Sequence, residues 1–214
     1  SGDKGIINDL WSNKWKYLKR RKDYAEYVLQ LSCTQKEKYE YINEQFGYWK
    51  KRYFEDPSDI RVKYTWLQWG SVRKRYLGEL KTKEAGELCK KLEKQKKRFI
   101  CFCSSITQAE FLGGENCIHS KKKDVEEVTS AFNSGKTNSI FAVGMLQEGQ
   151  NLTNIQAGVI VQLDGEERGF IQKFGRSLRA EDPVQYILYY KNTRDEEYLQ
   201  KALENINKDY VQEI

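Results

Sequence analysis

Five short runs of β-branched and aromatic residues limit what the second half of this chain can become. They are RFICFC (Arg98–Cys103), NCIHS (Asn116–Ser120), SIFAV (Ser139–Val143), AGVIVQL (Ala157–Leu163) and VQYILYY (Val184–Tyr190). Each is the length of a strand, and helical patterns such as DVEEVTSAF (Asp124–Phe132) separate most of them. Strands alternating with helical crossovers bury both faces of a mostly parallel sheet, and such sheets carry their functional groups at the carboxyl ends of strands. An α/β domain is therefore predicted for residues 81–214, opened by a linking helix from about Thr82 to Gln95.

Residues 1–80 read as a separate, basic and aromatic-rich region that is helical throughout, from Ile6 to about Leu80. Tyr39, Ile42, Phe46, Trp49 and Tyr53 recur at spacings of three and four and mark one apolar helix face. Thr34-x-x-Glu37 is a capping box able to start this helix, and Asp56-Pro57 would end it. Ser58 could cap a second helix with Ile60, Tyr64, Leu67 and Leu80 on its buried side. Residues 1–97 hold 24 Lys and Arg against 14 Asp and Glu, whereas residues 98–214 hold 13 against 17, and all five tryptophans lie in the basic part. The runs KYLKRRK (Lys16–Lys22), WKKRY (Trp49–Tyr53) and RKRY (Arg73–Tyr76) place phosphate-neutralising cations beside rings able to stack on bases. A helical core with a solvated basic surface accounts for the same composition.

Several function classes fall away. Gly135-Lys136-Thr137 ends like a P-loop, but the position five before Gly135 is Ser130, and the order is helix then strand, the reverse of what a phosphate cradle requires. Gly135 is instead expected to end a helix. The five cysteines contain no C-x-x-C pair and have only His119 to join them, so neither a zinc site nor a disulfide framework is predicted. No metal ligands are assigned, and His119 is read as structural or solvent-facing rather than catalytic. No apolar run reaches membrane-spanning length and no signal peptide opens the chain, so no membrane partner is expected. Nor is there a G-x-G-x-x-G or a nucleophile elbow.

The segment RGFIQKFGRSLRAEDP (Arg168–Pro183) is the most informative. On a helix, Gln172, Arg176 and Arg179 lie at i, i+4 and i+7 and share one face, with Gly175 allowing a close neighbour. Gln172, Gly175, Arg176 and Arg179 form a Q-x-x-G-R-x-x-R that resembles motif VI of superfamily 2 helicases and translocases. RFICFCSS resembles motif IV, and LQEGQNL (Leu146–Leu152) resembles motif V through Gly149 and Asn151. The three occur in the family's order across roughly Lys81 to Leu203. The G-x-N-L form of motif V, LSCTQKEKY (Leu31–Tyr39) and RYLGELKTKEA (Arg75–Ala85) are similar to segments of Swi/Snf-type remodellers and phage and bacterial DNA translocases.

The resemblance implies a RecA-like parallel-sheet lobe preceded by an all-α helical region, acting as the C-terminal lobe of an ATP-dependent DNA helicase or translocase. It implies Arg179 as arginine finger, Arg176 beside it on the phosphates and Gln172 orienting the site. Gly149, Asn151 and Gly175 would lie by the nucleotide, and Ser104 and Ser105 would donate to nucleic-acid phosphates, although a plain strand-end turn explains these serines equally. Lys19, Arg20 and Arg21 would add to the track. ATP and Mg are the implied cofactors, with the metal ligands and the Walker A and B elements on a first RecA-like lobe outside this chain. This chain alone would then be inactive. DNA is expected over RNA from the subgroup resemblance, and the location is expected to be cytoplasmic, nucleoid-associated if bacterial. The alternative is a non-catalytic module that binds nucleic acid or docks a partner on a RecA-like fold.

Overall fold

The computed structural model describes residues 23–144, 152–165, 180, 183–204, 206 and 210–214. Its centre is a seven-stranded sheet in which every pairing is parallel. In chain order the strands are β1 (Asp23–Leu29), β2 (Phe99–Cys103), β3 (Cys117–Ile118), β4 (Ser139–Val143), β5 (Ala157–Ile160), β6 (Val184–Tyr190) and β7 (Val211–Glu213). Across the sheet they run β3-β4-β2-β5-β6-β1-β7. The helices are α1 (Cys33–Glu55), α2 (Ile60–Leu80), α3 (Thr82–Lys94), α4 (Ile106–Gly113), α5 (Val125–Asn133) and α6 (Arg194–Leu203).

The five predicted runs all form strands, and their apolar content follows from coverage on both sides. On one face Ile100, Phe102, Ile140, Ile160 and Ile187 pack with Phe132 of α5 and Leu199 of α6. On the other, Phe99, Cys101, Phe141, Val159 and Leu188 meet Ala85, Leu88 and Leu92 of α3 and Ala109 of α4. Cys101 and Cys103 are free, buried core residues. The linking helix falls where its pattern placed it. Gly135 follows α5 at φ +79°, a conformation that favours glycine, and its N–H donates to Phe132 O at 3.0 Å. The Gly-Lys-Thr triplet is thus a turn after a helix.

Four local readings are corrected. Asp23–Leu29, expected as helix, is strand β1, set between β6 and β7 with Asp23 opposite Val184 and Leu29 opposite Tyr190. Tyr24, Tyr27 and Val28 suit a strand, and pairing with β6 and β7, remote in sequence, decided its form. The cap of α1 is Ser32, whose box closes with Gln35. The cap of α2 is Asp59, accepting from Arg61 N at 2.9 Å and Val62 N at 3.3 Å. Finally, α2 buries Val62, Arg73, Leu77 and Gly78, while Ile60, Tyr64 and Leu67 are 65%, 68% and 47% exposed. Apolar residues occupy two sides of this helix, so periodicity alone could not say which side meets α1.

Along α1, Tyr39 and Ile42 are buried and Phe46, Trp49 and Tyr53 are half-buried. Tyr53 stacks on Trp66 with centroids 5.3 Å apart, and Tyr41 meets Trp69 edge-on at 6.1 Å. Together α1 and α2 make a helical hairpin inserted between β1 and α3, anchored to the sheet where Tyr39 and Leu77 pack on Tyr190.

Candidate interface at the carboxyl edge of the sheet

After β2 the chain turns toward β3 and β4; after β5 it turns toward β6. The carboxyl ends of β2 and β5 therefore flank the point at which the order of strands reverses, where parallel sheets offer a crevice to ligands. Here the junction of α2 and α3 fills that crevice. A Cβ on Gly78 would lie 2.6 Å from Ser104 Oγ, closer still to Ser104 Cβ, and 3.5 Å from Gln162 Cβ. Only glycine admits so close an approach.

Three residues later Lys81 is fully buried. Its ammonium meets Asp195 Oδ2 at 2.6 Å and donates to Val161 O at 2.9 Å and Gln162 Oε1 at 3.0 Å. Asp195, 1% exposed, also accepts from Gln162 Nε2 at 2.7 Å and from Tyr190 N at 3.2 Å. All three Lys81 donors are thereby satisfied, which a buried charge requires. Burial lowers the Lys81 pKa, opposed by the Asp195 charge. Burial, then Glu84 and Asp195, push the Tyr190 hydroxyl up to about 12, so it stays a donor, to Leu80 O at 3.3 Å. Tyr39, raised chiefly by burial, accepts from Arg194 N at 2.8 Å.

Ser104 and Ser105 lie at the carboxyl end of β2 as predicted, both half-buried. Ser105 is the cap of α4, accepting from Gln108 N at 3.2 Å. Ser104 donates from its N–H and hydroxyl to Gln108 Oε1, at 2.8 and 3.0 Å. Gln108 Nε2 in turn donates to Gly78 O and Thr82 Oγ1, each at 2.8 Å. Ser104, through Gln108, therefore ties the strand end to the hairpin junction, while Ser105 starts α4. Gln172, Gly175, Arg176, Arg179, Gly149, Asn151, Lys19, Arg20 and Arg21 lie outside the described residues.

Sequence reading missed Lys81, Gln108, Gln162 and Asp195. Lys81 sits in a charged stretch with nothing local to mark it as buried, because its carboxylate partner comes from the far side of the domain. Asp195 carried a faint signal as the second residue after the Thr193 helix cap. His119 is buried, with Nε2 3.4 Å from Glu110 Oε1.

Residues 81–181 match the model of the helicase conserved C-terminal domain. No curated protein sequence matches the chain. Among solved structures, a yeast (S. cerevisiae) Dbp5 variant bound to RNA and ADP BeF3 is 13% identical, with a TM-score of 0.53 over 62% of this chain and 39% of that one. The E. coli DEAD-box protein SrmB, solved with the regulator of ribonuclease activity A, is 18% identical with a TM-score of 0.50 over 61% of this chain and 83% of that one. The Pyrococcus furiosus Hef helicase domain is 19% identical, at 0.44 over 78% and 38%. The match thus spans about two-fifths of the solved Hef and Dbp5 chains. Sheet topology and the two stronger likenesses agree that the chain is built on a RecA-like parallel sheet, and residues 81–181 are similar to the helicase conserved C-terminal domain.

Proposed function

We propose that this chain is the second RecA-like lobe of a superfamily 2 ATP-dependent helicase or translocase, completing an ATPase site whose phosphate cradle and Mg ligands belong to a first lobe. The supporting observation is that the family match runs from the hairpin junction through β5 and on through the segment holding Gln172, Gly175, Arg176 and Arg179. In this reading Arg179 places its guanidinium against the γ-phosphate as charge shifts during attack by water, a role worth roughly 10³–10⁵ in rate. Arg176 binds the phosphates beside it, Gln172 orients the site, and Gly149 and Asn151 line the cleft near the nucleotide.

Closure of the two lobes around ATP would move this lobe along a nucleic-acid strand. Ser104 and Ser105, at the carboxyl end of β2, would meet the strand's phosphates, and Lys19, Arg20 and Arg21 would extend the track. The Swi/Snf-like form of Gly149 and Asn151 favours DNA. RNA is the second reading, because the Dbp5 structure that shares this fold was solved bound to RNA.

The deciding experiment is ATP turnover of the two-lobed protein with DNA, with RNA and with neither, comparing parent and Arg179→Ala. Turnover stimulated by one polymer and lost in the variant supports the motor and names its track. Equal turnover in parent and variant removes the arginine finger, and no turnover in either leaves the binding module. Robust turnover by the 214-residue chain alone would refute the two-lobe account.

A further inference from the structure

A second concave surface lies at the base of the hairpin, at the ends of β1 and β6, away from the crevice between β2 and β5. It is a groove of about 770 Å³ between α1, the end of β1 and the turn leading into α6. That size is in the range of small-ligand sites, roughly 300–1,000 Å³. Arg73 lines it and is only 4% exposed. Its guanidinium sits 4.0 Å over the Phe46 ring, and Nη1 donates to Asn43 Oδ1 at 2.6 Å. The Nε donor is buried and has no acceptor, and among the described residues no carboxylate pairs with this side chain.

A guanidinium is permanently charged, and burying one without a counter-ion is costly. The rim does not repair the imbalance. Glu40 is held by Lys36 at 3.8 Å, Glu197 by Arg194, and Glu196 accepts from Asn192 N at 2.9 Å. Lys50 and Lys191, exposed on opposite walls, make no ion pair among the described residues. Glu40 and Glu197 are thus paired with cations and Glu196 is held by a backbone N–H, whereas Arg73, Lys50 and Lys191, from α2, α1 and the turn, have no carboxylate partner among the described residues.

We propose that this groove binds a phosphoryl group, with Arg73 donating from the floor and Lys50 and Lys191 closing on the anion from the rim. A planar fork and two mobile ammoniums suit a multiply charged oxyanion. The phosphoryl group has two possible sources: a nucleic-acid backbone passing the hairpin, or a free phosphorylated compound.

The test uses the full chain, with pyrophosphate and a single-stranded oligonucleotide lacking terminal phosphates as probes. Calorimetry gives affinity, and NMR follows the Arg73 Nε–H and Asn43 amide signals. Pyrophosphate is expected to shift both signals. Lys50→Gln/Lys191→Gln, confined to exposed side chains, should weaken its binding by about tenfold or more, as loss of charge-assisted contacts does. Arg73→Lys, checked for folding by circular dichroism, should also weaken it. If the oligonucleotide displaces pyrophosphate with the same dependence on Lys50 and Lys191, the backbone is the source. If pyrophosphate stays bound beside the oligonucleotide, a free phosphorylated compound is the source. Pyrophosphate that leaves the Arg73 and Asn43 signals unmoved, or binds the rim variant as tightly as the parent, overturns the proposal. None of these readouts depends on ATP turnover, so the groove and the motor can fail separately.

Discussion

Replacing Lys81 by Met removes an ammonium whose three hydrogen-bond partners are all fixed and buried. Asp195 Oδ2, Val161 O and Gln162 Oε1 would lose it together. The carbonyl and amide oxygens each forfeit about 1 kcal/mol, and the Asp195 carboxylate would stay charged in a site 1% exposed, held only by Gln162 Nε2 and Tyr190 N. Breaking one side of such a pair costs about 3–5 kcal/mol, a large share of a domain's net stability. Asp195→Leu alone should cost a similar amount by stranding the ammonium. The double variant Lys81→Met/Asp195→Leu removes both charges and should be markedly more stable than the two single losses added together, with a coupling of about 2 kcal/mol or more. Urea unfolding followed by circular dichroism measures all four proteins. Additive losses would show that the two side chains do not depend on each other, and the account of the junction as a mutually satisfied pair would be wrong.

Gly78→Ala should destabilise the chain by about 1–3 kcal/mol, despite alanine's better helix propensity, because the new methyl group meets Ser104; a rise in melting temperature would mean that the helix and strand end are further apart than described. Glu26 faces Glu213 across β1 and β7, and burial, then that neighbour, raise its pKa above 4.5. Because the folded chain holds this proton more tightly than the unfolded one, stability falls as pH rises from 4.5 through the raised value. Glu26→Gln should therefore stabilise at pH 7, by no more than about 1 kcal/mol at this partly solvated site, with the gain vanishing below pH 4; a gain independent of pH would exclude the charge mechanism. On the proposed motor reading, Arg179→Ala in a protein holding both lobes should lower ATP turnover by roughly 10³ or more while leaving nucleic-acid affinity within about twofold, read from steady-state kinetics and a binding titration.

The fold was legible wherever local pattern and final environment agree. Buried central strands such as FICFC and AGVI cannot satisfy their side chains except between two helical layers, so their sequence already implies that setting. Strand β1 was hidden because it shares its aromatic residues with the helices that follow, and its partners β6 and β7 are remote in sequence. The buried face of α2 was hidden for a related reason: Ile60 and Leu67 are as apolar as Val62 and Leu77, and only the position of α1 separates them. At the site, Ser104 and Ser105 were legible as a strand end. Lys81 and Asp195 were not, because each alone reads as an ordinary surface charge, and only the fold makes them partners.

The placement of β1 bears on the order in which the molecule can be assembled. This strand leaves the ribosome before any of its sheet neighbours, yet both of its partners, β6 and β7, are made only after the hairpin and β2 to β5. Throughout synthesis it must wait as an unpaired strand while the hairpin behind it folds through local contacts. A fragment beginning at Lys81 would meet the opposite difficulty: β6 would keep only β5 beside it and present an open edge to other molecules, and β7 would have nothing to join. The boundary of the family match is therefore a poor place to cut this chain, and fragments that begin before Asp23 should stay soluble where those that begin at Lys81 aggregate.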